Sequence, residues 1–304
     1  ITTTSGPGFA LKAEALGLAV MTELPLVVVD VQRGGPSTGL PTKTEQSDLM
    51  QALYGRNGES PVIVLASSTP ANCFDWAYMA SKITLEHNTP VVLLSDGYLG
   101  NGAEPWRIKS IEDMPSIKPL LAMEGEEYQP YARDKKTLAR KLALPGTKGL
   151  EHRLGGLEKE DITGNVSYDP ENHEKMSHIR AEKIRKIAEL IPEQEVFGEK
   201  QGDVLVVGWG GTHGSLYSAV DNLQKEGESI SLCQFNYINP LPKNTADILN
   251  NYKTIVVCEL NSGQFANYLR INFQGTIFNQ YNKIQGFPFT TSELESHFKS
   301  LLKK

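Results

Sequence analysis

The residues best suited to chemistry lie in two glycine-rich turns early in the printed sequence. The first turn, TTTSGPG, places Thr4, Ser5, Gly6 and Gly8 between a short β-branched stretch and an apolar stretch with helical spacing. Glycines let the backbone turn sharply and approach a ligand closely, and free N–H groups at a helix start favour an anion or a carbonyl oxygen. The turn is therefore a candidate ligand site; a plain strand-to-helix connection is the alternative.

The second turn, QRGGPSTGLPT, follows the apolar stretch LVVVDV and carries Arg33, Ser37 and Thr38. Ligands of open α/β sheets bind beyond the carboxyl ends of the strands, where this turn would lie. A guanidinium offers a planar fork that matches a carboxylate at two points, which a lysine cannot do. Arg33 is thus a candidate for binding a carboxylate, with the two hydroxyls nearby. A surface arginine in a flexible loop is the alternative.

The elements that must position these turns alternate between strands and helices. Uninterrupted apolar strands are typical of a parallel sheet covered by helices, so the sequence predicts a doubly wound α/β fold. The predicted strands are Ile1–Thr4, Leu26–Val31, Val62–Ala66 and Val91–Leu94, and the predicted helices are Phe9–Glu23, Glu45–Tyr54 and Ala71–His87.

A long stretch without periodicity, which we name the excursion, separates these elements from a second α/β unit. It runs over about 101–177 and is followed by a predicted helix, His178–Ile191. The second unit has predicted strands Val204–Gly208, Ile230–Phe235, Thr254–Glu259 and Lys283–Gln285, and helices Ser215–Lys225, Asn244–Asn251, Ser262–Phe273 and Ser292–Lys303. The expected domains are 1–195, which contains the excursion, and 200–304.

Composition narrows the classes of function. A net charge of −6 and the lack of basic stripes argue against a nucleic-acid partner, and no apolar run is long enough to predict a membrane span. Three widely spaced cysteines, Cys73, Cys233 and Cys258, predict reduced thiols in a cytoplasmic protein and are too few for a four-cysteine cluster. The histidines lack metal-ligand spacing, so no metal site is expected.

Two further motifs invite a functional interpretation. The stretch GWGGTHG misses the dinucleotide fingerprint because His213 stands where its third glycine should be, and no acid closes the next strand. Nicotinamide binding is therefore not expected. Asp96 ends the stretch VVLLSD and is predicted to be a turn or N-cap residue.

The two turns together carry a family resemblance. TSGPG, a helix and then ELPLVVVDVQR resemble the pyrimidine-binding domain of thiamine-diphosphate enzymes, and acetolactate synthases have a similar pattern. The longer match through QRGGPSTGLPT, SDGYLG, GLEHRLGGLEKEDITGNVSYDPENHEKM and VVCELNSGQ resembles the α subunit of 2-oxoacid:ferredoxin oxidoreductases, especially the 2-oxoglutarate type. This resemblance covers essentially the whole chain.

The resemblance implies a fold, a reaction and partners. The fold would be a thiamine-diphosphate pyrimidine-binding domain, incomplete at its N-terminus, followed by a transketolase C-terminal-like domain. The reaction would be oxidative decarboxylation of a 2-oxoacid to acyl-coenzyme A and CO₂, with electrons passed to ferredoxin. A β subunit would supply the diphosphate and Mg²⁺ site and a four-iron cluster, in a homodimer or heterotetramer.

The same resemblance assigns roles to residues. Arg33 would hold the 2-oxoacid carboxylate, with Ser37 and Thr38 beside it. Thr4, Ser5, Gly6 and Gly8 would line the coenzyme side. The family's activating glutamate would precede the printed sequence, so the chain is expected to be a C-terminal portion that is inactive and binds no cofactor by itself.

Two other functions stay open at this point. A thiamine-dependent decarboxylase or carboligase would carry a GDG…N motif in the same chain, and DGYLGN at 96–101 does not match it. A non-catalytic interaction subunit of the same fold would not need QRGGPSTGLPT. The identity of the 2-oxoacid is not determined by the sequence.

Overall fold

Two sheets with helices packed against them organise the chain, of which the computed structural model describes residues 1–303. The strands are β1 (Thr2–Thr4), β2 (Leu26–Gln32), β3 (Ile63–Ala66), β4 (Pro90–Asp96), β5 (Gly202–Trp209), β6 (Ile230–Phe235), β7 (Tyr237–Asn239), β8 (Tyr252–Glu259) and β9 (Phe278–Asn282). The α-helices are α1 (Gly6–Leu11), α2 (Ala13–Thr22), α3 (Leu49–Tyr54), α4 (Asn72–His87), α5 (Gly97–Asn101), α6 (Pro170–Ile187), α7 (His213–Lys225), α8 (Thr245–Asn250), α9 (Gln264–Asn272) and α10 (Thr291–Leu302).

The first sheet has the strand order β1-β2-β4-β3-β7, and the second has the order β6-β5-β8-β9. All pairings are parallel except β3 with β7. The valines Val28, Val64 and Val92 of the first sheet are fully buried. Strands excluded from solvent on both faces need apolar side chains on both, which explains the uninterrupted valine and leucine runs. The predicted doubly wound α/β fold is confirmed.

The helix after the first turn differs from the prediction. Instead of one helix over Phe9–Glu23 there are two, α1 and α2, with Lys12 between them at φ −93° and ψ 1°. The Lys12 N–H donates to the Phe9 carbonyl over 3.0 Å, which is a tighter turn than an α-helix makes. Apolar periodicity continues across such a break, so the sequence did not reveal it.

Two other elements were misplaced. The predicted strand Lys283–Gln285 is wrong, because the strand is β9, Phe278–Asn282, a largely polar strand at the edge of the second sheet that pairs with β8. Helix α6 begins at Pro170, where the Asp169 carboxylate accepts a hydrogen bond from the Asn172 N–H over 2.7 Å. The helix therefore begins eight residues before the predicted start, His178. The sequence did not predict these first turns of α6, because they face solvent and lack an apolar stripe.

Strand β7 was not predicted, and it links the two parts of the chain. It follows β6 of the second sheet but pairs antiparallel with β3 of the first. The Asn239 side chain strengthens this pairing by donating to the Val62 carbonyl over 2.7 Å. The domain bounds 1–195 and 200–304 remain a prediction. Strand β7 lies within the second predicted domain in sequence but completes the sheet of the first.

A buried ion cluster, the ionic latch, fastens the excursion to the helices. Glu23 is 1% exposed and accepts hydrogen bonds from Arg133 of the excursion and from Lys183 of α6, the latter over 2.6 Å. Burial alone would raise the pKa of Glu23, but the charges of Lys183 and Arg133 outweigh it and lower this pKa to about 2. Arg140 adds a hydrogen bond to the Thr22 carbonyl over 3.0 Å.

Candidate functional site

Both glycine-rich turns lie at the carboxyl edge of the first sheet. In the parallel pairing of β1 with β2, Thr4 stands opposite Asp30. The TSGPG turn leaves β1 at this point, and Arg33 follows the last residue of β2. The parallel register therefore brings the two predicted turns together, as Arg33 comes only three residues after the partner of Thr4.

The glycines of the first turn leave room for neighbouring side chains to pack against the backbone. A Cβ at Gly6 would lie 2.9 Å from Oδ2 of Asp48, and a Cβ at Gly8 would lie 2.1 Å from Oγ1 of Thr4. A larger residue at either position would displace these side chains. Ser5 is the N-cap of α1, but its hydroxyl makes no capping hydrogen bond and is free for another partner.

The loop after Arg33 is closed by its own backbone. The Gly34 N–H donates to the Lys43 carbonyl over 3.0 Å, and the Leu40 N–H donates to the Gly34 carbonyl over 2.8 Å. Gly39 has φ +46°, and a Cβ there would lie 2.1 Å from the Gly34 carbonyl oxygen, so this position requires glycine. Ser37 and Thr38 lie exposed at the tip, away from the sheet.

Arg33 is half-buried and not committed to a structural ion pair. Its Nε is buried and donates to no acceptor among the described residues. Its positive charge acts on Asp48. Burial raises the pKa of Asp48, and the charge of Arg33 partly offsets that rise. A buried N–H without a partner is costly unless a ligand or water completes it, so this guanidinium is suited to an incoming anion.

Asp30 and Asp48 form a carboxyl pair behind the turn. Asp30 is fully buried, and neither of its oxygens accepts a hydrogen bond from a donor group in the described chain; Oδ2 of Asp48 is also buried and without one. Burial and the charge of Asp48 raise the pKa of Asp30 to about 8. Burial raises the pKa of Asp48 as well. Strongly perturbed carboxyls in this position are typical of functional sites.

The segment that carries Asp48 is held by the second sheet. Gln46 donates to the Trp209 carbonyl over 2.7 Å and accepts from the Leu260 N–H over 2.9 Å. Gln264 accepts from the Met50 N–H over 2.9 Å and donates to the Ser47 carbonyl over 2.8 Å. The C-terminal unit therefore fixes the position of Asp48 against Gly6 of the first turn.

Asp96 is an N-cap, as predicted, and also joins the two sheets. Its carboxylate accepts hydrogen bonds from the N–H groups of Tyr98 and Leu99 at the start of α5, over 2.8 and 3.1 Å. It accepts a third from the Gly211 N–H over 2.9 Å. The GWGGTHG motif thus packs on the first sheet, and a Cβ at Gly211 would lie 2.4 Å from the Asp96 carboxylate.

The histidines near the excursion make local contacts. His152 hydrogen-bonds the Leu150 carbonyl over 2.9 Å, and His173 lies 2.7 Å from a Glu158 oxygen that also binds Arg180. Within residues 1–303 there is no group of three or more His, Cys, Asp or Glu side chains that could hold a metal ion. None of the helices described is long and apolar enough to cross a membrane.

Comparison with known proteins assigns the fold to a family. Residues 1–169, more than half of the chain, match the family model described as pyruvate flavodoxin/ferredoxin oxidoreductase, thiamine diphosphate-binding. The chain belongs to the 2-oxoacid:ferredoxin oxidoreductase family. Residues 202–294 match the family's core domain II, so the second α/β unit is also a family domain.

Two curated relatives are KorA subunits of 2-oxoglutarate enzymes. The chain is 49% identical over 304 residues to 2-oxoglutarate oxidoreductase subunit KorA of Mycobacterium tuberculosis, covering 99% of this chain and 46% of the relative. It is 33% identical to 2-oxoglutarate synthase subunit KorA of Methanothermobacter marburgensis, covering 87% of this chain and 70% of that one. The chain thus spans about half the length of the first relative.

A solved structure in the family has the same fold. It is the 2-oxoglutarate:ferredoxin oxidoreductase of Magnetococcus marinus, with 2-oxoglutarate, coenzyme A and succinyl-coenzyme A bound. The TM-score is 0.91 at 33% identity, over 99% of this chain and 52% of that chain. The resemblance expected from the two turns is confirmed for the family and for the fold.

Sequence reasoning missed the two acids of the site. The signal for Asp30 was present, because an acidic residue inside LVVVDV interrupts a strand that is otherwise apolar on both faces. Asp48 gave no such signal, since TEQSD reads as the polar start of a helix. Only the fold shows that it lies against Gly6.

Proposed function

We propose that this chain is part of the α subunit of a 2-oxoacid:ferredoxin oxidoreductase that oxidatively decarboxylates 2-oxoglutarate to its acyl-coenzyme A and CO₂, with electrons passed to ferredoxin. The observation that carries the proposal is the uncommitted Arg33 guanidinium at the carboxyl edge of a sheet of this family. The M. marinus enzyme, whose structure contains 2-oxoglutarate, supports this substrate class.

In this proposal Arg33 binds and orients the substrate carboxylate. Its two-point geometry fixes the direction in which the ketone faces the coenzyme, and such positioning is a large part of catalysis. Ser37 and Thr38 lie at the exposed tip of the same loop and offer hydroxyls to a substrate that enters from that side.

Thr4, Ser5, Gly6 and Gly8 form the proposed wall on the coenzyme side. The free Ser5 hydroxyl and the adjoining carboxyl pair fit a polar, nitrogen-containing group, and Gly8 acts by giving Thr4 room. When bound, thiamine diphosphate supplies the carbon nucleophile and the electron sink that decarboxylation requires. We propose that the diphosphate and Mg²⁺ are held largely by a β subunit, which also carries a four-iron cluster.

The proposed partners are this β subunit, ferredoxin and coenzyme A, in a homodimer or heterotetramer. A cytoplasmic location is part of the proposal and is supported by the free thiols Cys73, Cys233 and Cys258, which suit a reducing compartment.

Steady-state kinetics of Arg33 variants test the proposal. In the assembled α–β complex with 2-oxoglutarate and a viologen acceptor, Arg33→Ala should lower kcat/KM about 30-fold or more, because losing one partner of a desolvated charge pair costs roughly 2–5 kcal/mol. Arg33→Lys should recover only part of the activity, since it keeps the charge but not the fork. Arg107→Ala, which removes an exposed arginine of the excursion, is the matched control.

Complex assembly and coenzyme affinity should be unchanged by Arg33→Ala, because Arg33 forms no ion pair within the part of the chain that the structure describes. A wild-type kcat/KM for Arg33→Ala, in a complex shown to be intact by size-exclusion chromatography, would remove Arg33 from the site.

A further inference from the structure

The carboxyl pair of Asp30 and Asp48 lies where it can affect both halves of the site. Asp30 stands opposite Thr4 in the sheet, and Asp48 packs against the backbone of Gly6. Both oxygens of Asp30 and Oδ2 of Asp48 are buried, and no N–H, hydroxyl or cationic group of the described residues donates to them. Burial and then the charge of Asp48 raise the pKa of Asp30, so the two carboxyl groups lie within range of each other. Ionised carboxylates only accept hydrogen bonds, so a hydrogen bond between these two requires a proton on one of them.

Two other charged groups act on the pair. Beyond the effect of burial, the negative charge of Glu45, on the segment that carries Asp48, raises the pKa of Asp48, and the positive charge of Arg33, at the end of β2, lowers it. If the pair were fully ionised, both of its charges would compete for the Arg33 guanidinium.

We propose that Asp30 and Asp48 share a single proton in the working enzyme and act as positioning residues. The shared proton joins β2 to the segment after the second turn, which itself packs on Gly6 of the first turn. It also leaves one negative charge beside Arg33 instead of two, so that the guanidinium keeps its attraction for a carboxylate ligand. This inference rests on the proposed function, because it takes the 2-oxoacid as the ligand of Arg33.

A pH dependence follows from this arrangement. Burial and Asp48 raise the pKa of Asp30 to about 8, so the pair keeps its proton at neutral pH and loses it as the pH rises through that value. The second negative charge then competes with the substrate for Arg33. We expect KM for the 2-oxoacid to rise on this alkaline limb, with a smaller change in kcat.

Infrared difference spectroscopy of the full chain tests the proton without reference to activity. The wild-type protein should show the C=O stretch of a protonated carboxyl at neutral pH, and this band should disappear as the pH passes about 8. Asp30→Asn should abolish the band. Should Asp30→Asn fail to fold, Asp48→Asn serves the same purpose. A neutral-pH spectrum without a band that depends on Asp30 or Asp48 overturns the proposal.

Kinetics of the assembled complex test the positioning role. The amide of Asp30→Asn can donate to Asp48 as the protonated acid does, but it cannot titrate, so the alkaline rise in KM should be lost. Asp30→Ala cannot titrate either and should also lose the alkaline rise, but it removes the donor to Asp48, so its KM at neutral pH should exceed that of Asp30→Asn. An unchanged alkaline limb in Asp30→Asn overturns the role, even if the infrared band is present. Absence of 2-oxoacid activity in the wild-type complex is instead a failure of the proposed function, and the infrared result still decides the proton.

Discussion

The ionic latch and the carboxyl pair are both buried clusters of charge, but they are built in opposite ways. In the latch, one carboxylate, Glu23, lies between the cations of Arg133 and Lys183. In the pair, Asp30 lies near a second carboxyl, Asp48, and among residues 1–303 no cationic side chain donates to either oxygen of Asp30. Opposite charges therefore meet at the latch, and like charges meet at the carboxyl edge of the sheet.

This difference supports our proposal that the carboxyl pair is functional, whereas the latch joins segments of the chain. Burying charges in opposite pairs offsets part of their desolvation cost and joins distant segments. Burying like charges raises pKa values toward the working pH and leaves groups unsatisfied, which costs stability unless a ligand or proton uses them. Burial also lowers the pKa of Lys183 in the latch to about 8, against the attraction of Glu23 and with a further contribution from the charge of Arg133.

The strongest test of the latch removes its carboxylate. Glu23→Ala leaves the buried cations of Arg133 and Lys183 without their counter-charge, which should lower the free energy of unfolding by about 3–5 kcal/mol. Urea denaturation measures it. The matched control is Glu126→Ala, which breaks an exposed ion pair with Lys141 in the same excursion and should change stability by no more than experimental error. Equal effects of the two variants would contradict the latch.

Acid should weaken the latch in a defined window. The pKa of Glu23 is about 2 in the folded protein and near 4.5 when unfolded, so its contribution is complete above about pH 4.5 and is lost as the pH falls toward 2. The full contribution is about 3 kcal/mol. The stability difference between wild type and Glu23→Gln, measured by denaturation from neutral pH downward, should shrink over this range. A difference independent of pH would show that the carboxylate charge is not what stabilises the excursion.

Adding one methyl group at the contact between Gly211 and Asp96 should lower the stability of the protein. Gly211→Ala places a Cβ 2.4 Å from the Asp96 carboxylate and should lower the free energy of unfolding by about 1–3 kcal/mol. Gly214→Ala is the control three residues later in α7, where a Cβ meets nothing within 4 Å and alanine favours the helix. Thermal melts of both variants should therefore shift in opposite directions. A harmless Gly211→Ala would show that the carboxyl edge does not depend on this packing.

The smallest effect is expected at the outer end of the excursion. Lys109 and Asp75 form an ion pair whose side chains are 45% and 38% exposed. Asp75→Asn should cost about 0.2–1 kcal/mol, because solvent screens the pair. The same denaturation assay checks it, and a loss as large as that of Glu23→Ala would mean that the excursion is fastened along its whole length.

The sequence revealed the elements whose residues are buried on both faces. LVVVDV, VIVLA and PVVLLSD predicted β2, β3 and β4 to within a residue or two at each end. QRGGPSTGLPT and TSGPG predicted two turns at one sheet edge, because parallel strands place their carboxyl ends together. The role of Arg33 in binding a carboxylate stays a prediction, made because a guanidinium matches a carboxylate at two points.

The remainder depends on contacts between distant parts of the chain. Arg133 and Glu23 are separated by 110 residues, and nothing local marks them as partners. Asp48 reaches Gly6 only because the second sheet holds its segment, through hydrogen bonds such as that from Gln264, 217 residues away from Ser47. Strand β7 has three residues, too few for a periodic pattern.

Strand β7 has a consequence for how the protein is made. Residues up to Asp96 contribute the other four strands of the first sheet, but the edge of β3 gains its partner only when Tyr237–Asn239 has been synthesised. Until then the growing chain presents an open strand edge, a template for unwanted pairing with other chains. Translation of the second α/β unit is therefore also the step that shields the first, so a ribosome stalled between the two would leave a product prone to aggregate.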